Sequence, residues 1–232
     1  MSFPLHAAKI GLLIVATGKY DQFIPRLINS ARTYFCPGEQ VTYYVFADGV
    51  IPEGNDIVSI YQKRLGWPLD TLMRNDIYAR HQERFQQEDY LFAIDADMLF
   101  VDVVGREILG TRVATRHPGF MNQRGTYETN PQSQAYVKDT EGTHYYAGAF
   151  FGGTRESFLH IISETTRRIQ LDLQQSMIAI WHDESHWNRY CIDHPPTVIL
   201  SPSYCYPESQ KLDYQRKLLA LDKNHAAFRS PN

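Results

Sequence analysis

Lys9-Ile10-Gly11-Leu12-Leu13-Ile14-Val15-Ala16-Thr17-Gly18 holds an apolar run closed by two turn-forming residues. A strand with one wet face alternates apolar and polar side chains. A run without alternation reads as a strand covered on both faces, as in parallel sheets flanked by helices. The run is too short to span a bilayer. Working outward, Phe23, Ile24, Leu27, Ile28 and Ala31 recur at helical spacing, so a helix is expected from about Asp21 to Tyr34. Strands are expected over Val41 to Phe46, ending at Ala47-Asp48-Gly49, and over Ile57 to Tyr61. An amphipathic helix follows over Thr71 to Phe85, then a strand over Tyr90 to Ile94. Such alternation predicts an α/β domain built on a largely parallel sheet.

The second half is less regular. Residues 119 to 144 read as a polar loop, and Tyr145 to Gly153 mixes aromatic with small residues that permit close approach. A helix is expected over Arg155 to Leu173, another beginning near Asp183, and a short strand over Val198 to Leu200. The charged tail from Lys211 reads as a mobile segment. At 232 residues this makes one domain, and a hydrophobic share of 43% supplies a sizeable core. The net charge of -3 comes from acids and bases mixed along the chain, with no basic tract for nucleic acid. The three cysteines, Cys36, Cys191 and Cys205, cannot all pair internally, and no two stand at metal-ligand spacing. They read as reduced thiols of a cytoplasmic protein. The first residues lack a charged segment followed by a long apolar stretch, so neither a signal peptide nor a transmembrane segment is expected.

The apolar run Tyr90 to Ile94 ends in Asp95-Ala96-Asp97. In an extended chain residues i and i+2 share a side, so both carboxylates can face one hard cation, Mg²⁺ or Mn²⁺, that keeps positions open for phosphate oxygens. The other reading of so short a motif is the start of a solvated turn. Ligands of open α/β sheets lie beyond the carboxyl ends of the strands, where Thr17 to Tyr20, Asp48 and the Asp pair all fall. The chain has neither a dinucleotide glycine fingerprint nor a phosphate-loop lysine motif. Trp181-His182-Asp183-Glu184-Ser185-His186 reads either as a sugar pocket or as a helix start with acids in its first turn. His117 reads as a hydroxyl partner or a structural histidine. Lys223-Asn224-His225 with Arg229 reads as a diphosphate clamp or a solvated basic tail.

In chain order, Gly18-Lys19-Tyr20, Tyr43 to Phe46, Asp95 to Met98, His117 to Phe120, Thr126 to Glu128, Pro131 to Tyr136, Tyr145 to Gly153, Trp181 to His186, Leu200 to Pro202 and Lys223 to His225 together resemble glycosyltransferase family 6. These are the retaining α-1,3-galactosyl- and N-acetylgalactosaminyltransferases that include the human ABO blood-group enzymes. The resemblance implies a GT-A fold, with a Rossmann-like nucleotide-binding half (about 1–110) merged with an acceptor-binding half (about 111–210) and a C-terminal segment (about 211–232). It implies that Val15, Thr17 and Tyr20 surround the uracil of a UDP-sugar. Asp95 and Asp97 hold a metal, Mn²⁺ or Mg²⁺, on its diphosphate, and Arg74 lies near the donor sugar. Asp183 contacts that sugar, and Glu184 is the catalytic carboxylate beneath the anomeric carbon. Lys223, His225 and Arg229 fold over the diphosphate. His117, Thr126 and Trp181 contact an oligosaccharide acceptor, with Glu208 substituting for an acceptor-binding acid. Ala149 favours UDP-galactose over UDP-N-acetylgalactosamine, because its methyl crowds the N-acetyl group, while Ala147, smaller than its counterpart in the human enzymes, implies a looser pocket. Vertebrate members carry a membrane anchor, so a soluble member of bacterial or viral origin is expected. A haloacid-dehalogenase-type phosphatase is disfavoured, since Leu99 stands where its motif wants Thr or Val. A non-catalytic sugar- or nucleotide-binding protein is the competing reading.

Overall fold

The computed structural model describes residues 7–229, so the reading of the first six residues lies outside the described residues. The chain runs β1 (Lys9–Val15), α1 (Ile24–Tyr34), β2 (Gln40–Ala47), β3 (Ile57–Tyr61), α2 (Leu69–Leu72), α3 (Arg74–Ala79), β4 (Tyr90–Asp95), β5 (Met98–Phe100) and β6 (Arg112–Arg116). It continues with β7 (Tyr146–Thr154), α4 (Arg155–Gln174), α5 (His182–Asp193), β8 (Val198–Leu200), β9 (Tyr206–Pro207), β10 (Leu218–Ala220) and α6 (His225–Arg229). Seven strands form the main sheet in the order β3-β2-β1-β4-β7-β6-β8. Only β7 opposes its neighbours β4 and β6. This mixed, mostly parallel α/β sheet agrees with the expected GT-A-like architecture.

The opening run is β1, flanked by parallel β2 and β4. Its side chains divide between two cores. Ile10, Leu12 and Ile14 pack with Ile24, Leu27, Ile28 and Ala31, residues that lie on α1. Leu13 joins Ile77 and Tyr78 of α3, Phe158 of α4 and Trp187 of α5 in the other. Both faces of β1 are therefore covered, which is why it shows no alternation. The chain moves from β1 to β2 on one side and later enters β4 on the other. That reversal opens a crevice beyond the carboxyl ends of β1 and β4.

Three local departures from the sequence reading build the site. The helix expected over Thr71 to Phe85 is broken into α2, α3 and a 3₁₀ turn at Gln82–Phe85. Met73, at φ -91° and ψ 8°, leaves the helical region, and Arg74 and Asn75 directly after it are buried. Asn75 Nδ2 donates to Thr165 Oγ1 at 3.0 Å, a polar anchor that propensity does not reveal. The aromatic and small stretch is the strand β7. Its register to β6 jumps from Ala114↔Phe151 to Thr115↔Ala147, so Gly148-Ala149-Phe150 bulge from the ladder and are re-aimed. Third, Ala96–Asp97 is a turn between β4 and β5 rather than extended chain.

The tail forms its own small sheet. β10 pairs antiparallel with β5 and parallel with β9, and Leu218 is fully buried. β5 follows the Asp pair directly, so this pairing brings the residues after Ala220 back over the crevice.

Candidate active site

Two cavities share a wall of Thr71, Arg74 and Asp95. The first, about 250 Å³, is lined by Val15, Thr17, Tyr20, Trp67, Asp70, Asp97, Lys223, His225 and Arg229 as well. The second, about 230 Å³, is lined by His117, Ala147, Gly148, Ala149, Trp181, Asp183, Glu184 and Cys205.

Arg74 joins the two cavities. Its guanidinium donates to Asp95 Oδ1, to Gly148 O at 2.9 Å and to Asp183 Oδ2 at 2.5 Å, and it lies 5.6 Å over the Phe151 ring. Burial opposes its charge, but Asp183 and Asp95 outweigh that and raise its pKa. The side chain of Asp95 is 42% accessible to the cleft. Even so, the enclosing protein desolvates it, so its pKa is raised despite Arg74, with Asp97 adding to the rise. Asp97 accepts from Lys223 Nζ, and its carbonyl accepts from Leu221 N at 2.9 Å. A cation thus already sits against the Asp pair.

Glu184 lies in the first turn of α5, where acids are favoured. Its Oε2 accepts from Gly148 N at 2.8 Å, the amide freed by the β7 bulge. Burial lifts its pKa to about 7; the Gly148 bond and the nearby Tyr145 hydroxyl pull down, while Asp183 and Asp95 push up. Tyr145 Oη stands near Glu184 but outside hydrogen-bond geometry. A Cβ at Gly148 would fit tightly, 3.3 Å from Arg74 Nη2 and 3.4 Å from Glu184 Cβ.

His117 Nδ1 accepts from Gly119 N at 3.1 Å. Burial lowers its pKa to about 4, so the ring is neutral, with its proton on Nε2. Trp181 Nε1 donates to Thr126 Oγ1 at 2.6 Å, which joins two residues far apart in sequence. Over the first cavity, Phe228 packs on Tyr20 at 5.0 Å and Phe23 at 5.4 Å. Lys19 Nζ donates to Ala227 O at 2.9 Å, and Arg229 lies 3.7 Å over Trp67.

All but two of the residues singled out from sequence line one of these cavities. Thr126 reaches the second through Trp181. Glu208 sits apart, its Oε2 accepting from Asp222 N at 2.9 Å, in the anchor of the tail. The sequence reading passed over Trp67, Asp70, Thr71 and Cys205. The one local signal was Trp67-Pro68, a turn just before a helix with an acid in its first turn.

Comparison with known proteins accords with this arrangement. A model described as "Glycosyltransferase family 6" matches residues 2–230. The chain belongs to glycosyltransferase family 6. It is 38% identical to the "Histo-blood group ABO system transferase 1" of Rattus norvegicus, over 98% of this chain and 70% of that protein. It is 34% identical to the "Globoside alpha-1,3-N-acetylgalactosaminyltransferase 1" of Gallus gallus, over 95% and 69%. To the human protein of the same name it is 33% identical, over 95% and 68%. This family 6 member is an enzyme, a UDP-sugar-dependent glycosyltransferase. Among the described residues no helix is long and apolar enough to cross a membrane.

Proposed function

We propose that this enzyme moves galactose, and less readily N-acetylgalactosamine, from the UDP-sugar in α-1,3 linkage to a β-galactoside, the α-1,2-fucosylated form included, with retention of configuration. The observation that carries this is the shared wall. Arg74 and Asp95 separate a cavity lined by both aromatic and charged side chains from one holding a desolvated carboxylate, Glu184. A nucleoside diphosphate suits the first and a hexose the second, with the scissile bond at the wall.

Asp95 and Asp97 are hard oxygen donors on one cavity, and Lys223 against Asp97 marks it as a place for positive charge. Among the described residues no group of three or more His, Cys, Asp or Glu side chains forms a cation cage. Two carboxylates alone fit a divalent ion that completes its shell with diphosphate oxygens and water, Mn²⁺ or Mg²⁺. Such an ion, when bound, neutralises charge on the departing diphosphate. Lys223 and Arg229 supply further positive charge there, while burial and those two cations lower the pKa of His225, which offers a hydrogen-bond donor instead. Gly148 N–H and the first turn of α5 aim Glu184 at the sugar. There its carboxylate bonds covalently to the anomeric carbon, or stabilises positive charge on it while the acceptor hydroxyl attacks from the leaving group's face; either route retains configuration. His117 Nε2–H and the Trp181 face are suited to orient an acceptor hydroxyl. The Ala149 methyl, on the wall of the sugar cavity, favours galactose; one methyl is worth about 1–3 kcal/mol of discrimination.

The test is UDP release and product formation from UDP-galactose and UDP-N-acetylgalactosamine, with lactose or 2'-fucosyllactose, in Mn²⁺ and in EDTA. Mn²⁺-dependent transfer favouring UDP-galactose is expected, with the preference narrowing in Ala149→Gly. Equal rates in EDTA would overturn the metal assignment, and a preference for UDP-N-acetylgalactosamine would overturn the role of Ala149.

A further inference from the structure

Asp70 stands in the first turn of α2, on the wall of the first cavity. One of its oxygens, Oδ1, accepts two hydrogen bonds from different parts of the chain. Thr17 Oγ1, just past the end of β1, donates at 3.1 Å, and Leu65 N donates at 2.7 Å. Its other oxygen forms an ion pair with Arg64 Nε at 3.7 Å, longer than a hydrogen bond. Oδ1 thereby links the segment from Gln62 to Pro68 to Thr17 on the floor of the cavity, beside backbone bonds from Gln62 N to Ala47 O and from Asp70 N to Gly66 O. That segment carries Trp67, which lines the first cavity. The Trp67 ring lies 4.8 Å from His182, edge to face, and Arg229 covers its other side.

We propose that Asp70 is a positioning residue for the donor nucleotide. Through Oδ1 it pins the Gln62–Pro68 strap to Thr17, which fixes Trp67 as a wall of the nucleotide cavity. The two hydrogen bonds that the carboxylate accepts set its role, and the longer ion pair to Arg64 adds to it. Asp70 therefore governs how tightly the donor is held and not the chemical step. The inference rests on the reading of the first cavity as the nucleotide site.

The test compares Asp70→Asn, Asp70→Ala and Thr17→Val by UDP calorimetry, by KM and kcat for the preferred UDP-sugar, and by melting temperature. An amide oxygen can accept both bonds, so Asp70→Asn is expected within about twofold of wild type in UDP affinity. Loss of both bonds in Asp70→Ala should weaken UDP and raise donor KM about tenfold, with kcat within about twofold and melting little changed. Thr17→Val should lie between, and combining it with Asp70→Ala should add little, as for groups sharing one bond. An Asp70→Asn variant as impaired as Asp70→Ala would overturn the inference, because charge would then be the active property. Unchanged UDP affinity in Asp70→Ala would also overturn it. Failure of the wild type to bind UDP at all would instead overturn the nucleotide reading of the cavity.

Discussion

Glu184 holds a proton more tightly in the folded chain than in water, and burial is the largest cause. If the ionised form acts on the sugar, kcat/KM should climb with pH and level off above about 7, which a pH–rate profile on the free enzyme reads. The same shift bears on stability with a definite sign. An acid whose folded pKa lies above its unfolded value destabilises the fold progressively as pH rises from about 4.3 to about 7. Glu184→Gln should therefore melt higher than wild type at pH 8 and no higher at pH 4, as thermal scans can check. Gly148 carries a second prediction. An added Cβ would meet Arg74 Nη2 at 3.3 Å and Glu184 at 3.4 to 3.5 Å, so the Arg74 guanidinium must give by a few tenths of an ångström while Glu184 keeps ordinary contact. Gly148→Ala keeps the N–H that Glu184 accepts and should fold, bind UDP and lose no more than about tenfold in kcat; a loss of about 10² would mean that Arg74 cannot shift to admit the methyl.

At the scale of elements, the tail is held in two ways. Its strand β10 is part of the body, with Leu218 fully buried and β5 and β9 on either side. Helix α6 is held by Phe228 on Tyr20 and by single polar contacts. A chain ending at Asp222 keeps the first and loses the second. It should bind UDP at least tenfold more weakly by calorimetry with only a small change in melting temperature; a large fall in melting temperature would show that α6 belongs to the core. Elements were unevenly legible in the sequence. β1, β3 and β8 match their expected spans to within a residue, because both-face burial or a clear β-branched run leaves a strong pattern. The expected helix over residues 71 to 85 is broken at Met73, where Asn75 bonds to Thr165 ninety residues away. Such an anchor leaves no trace in local periodicity. The bulge in β7 was equally hidden, although Gly148 and Gly152 marked close approach.

For the whole molecule, a mostly parallel sheet gathers chemistry from distant parts of the chain at one edge. Asp95, Asp97, Asp183 and Glu184 were legible as acids at the ends of apolar runs. Their grouping around Arg74 was legible only through the family resemblance, because no local rule predicts which arginine enters the core. Asp70 and Trp67 escaped notice because their partners, Thr17, Leu65, His182 and Arg229, meet them only in the folded chain. Two cavities on one wall, with a cationic tail over the first and an aimed carboxylate in the second, make the case for sugar transfer at that wall. The most direct test is UDP release from UDP-galactose with lactose and Mn²⁺, measured for wild type and Glu184→Gln beside their UDP affinities. The predicted result is equal UDP binding with turnover lower by roughly 10² to 10³ in the variant; equal turnover would contradict the assignment of Glu184 as the catalytic carboxylate.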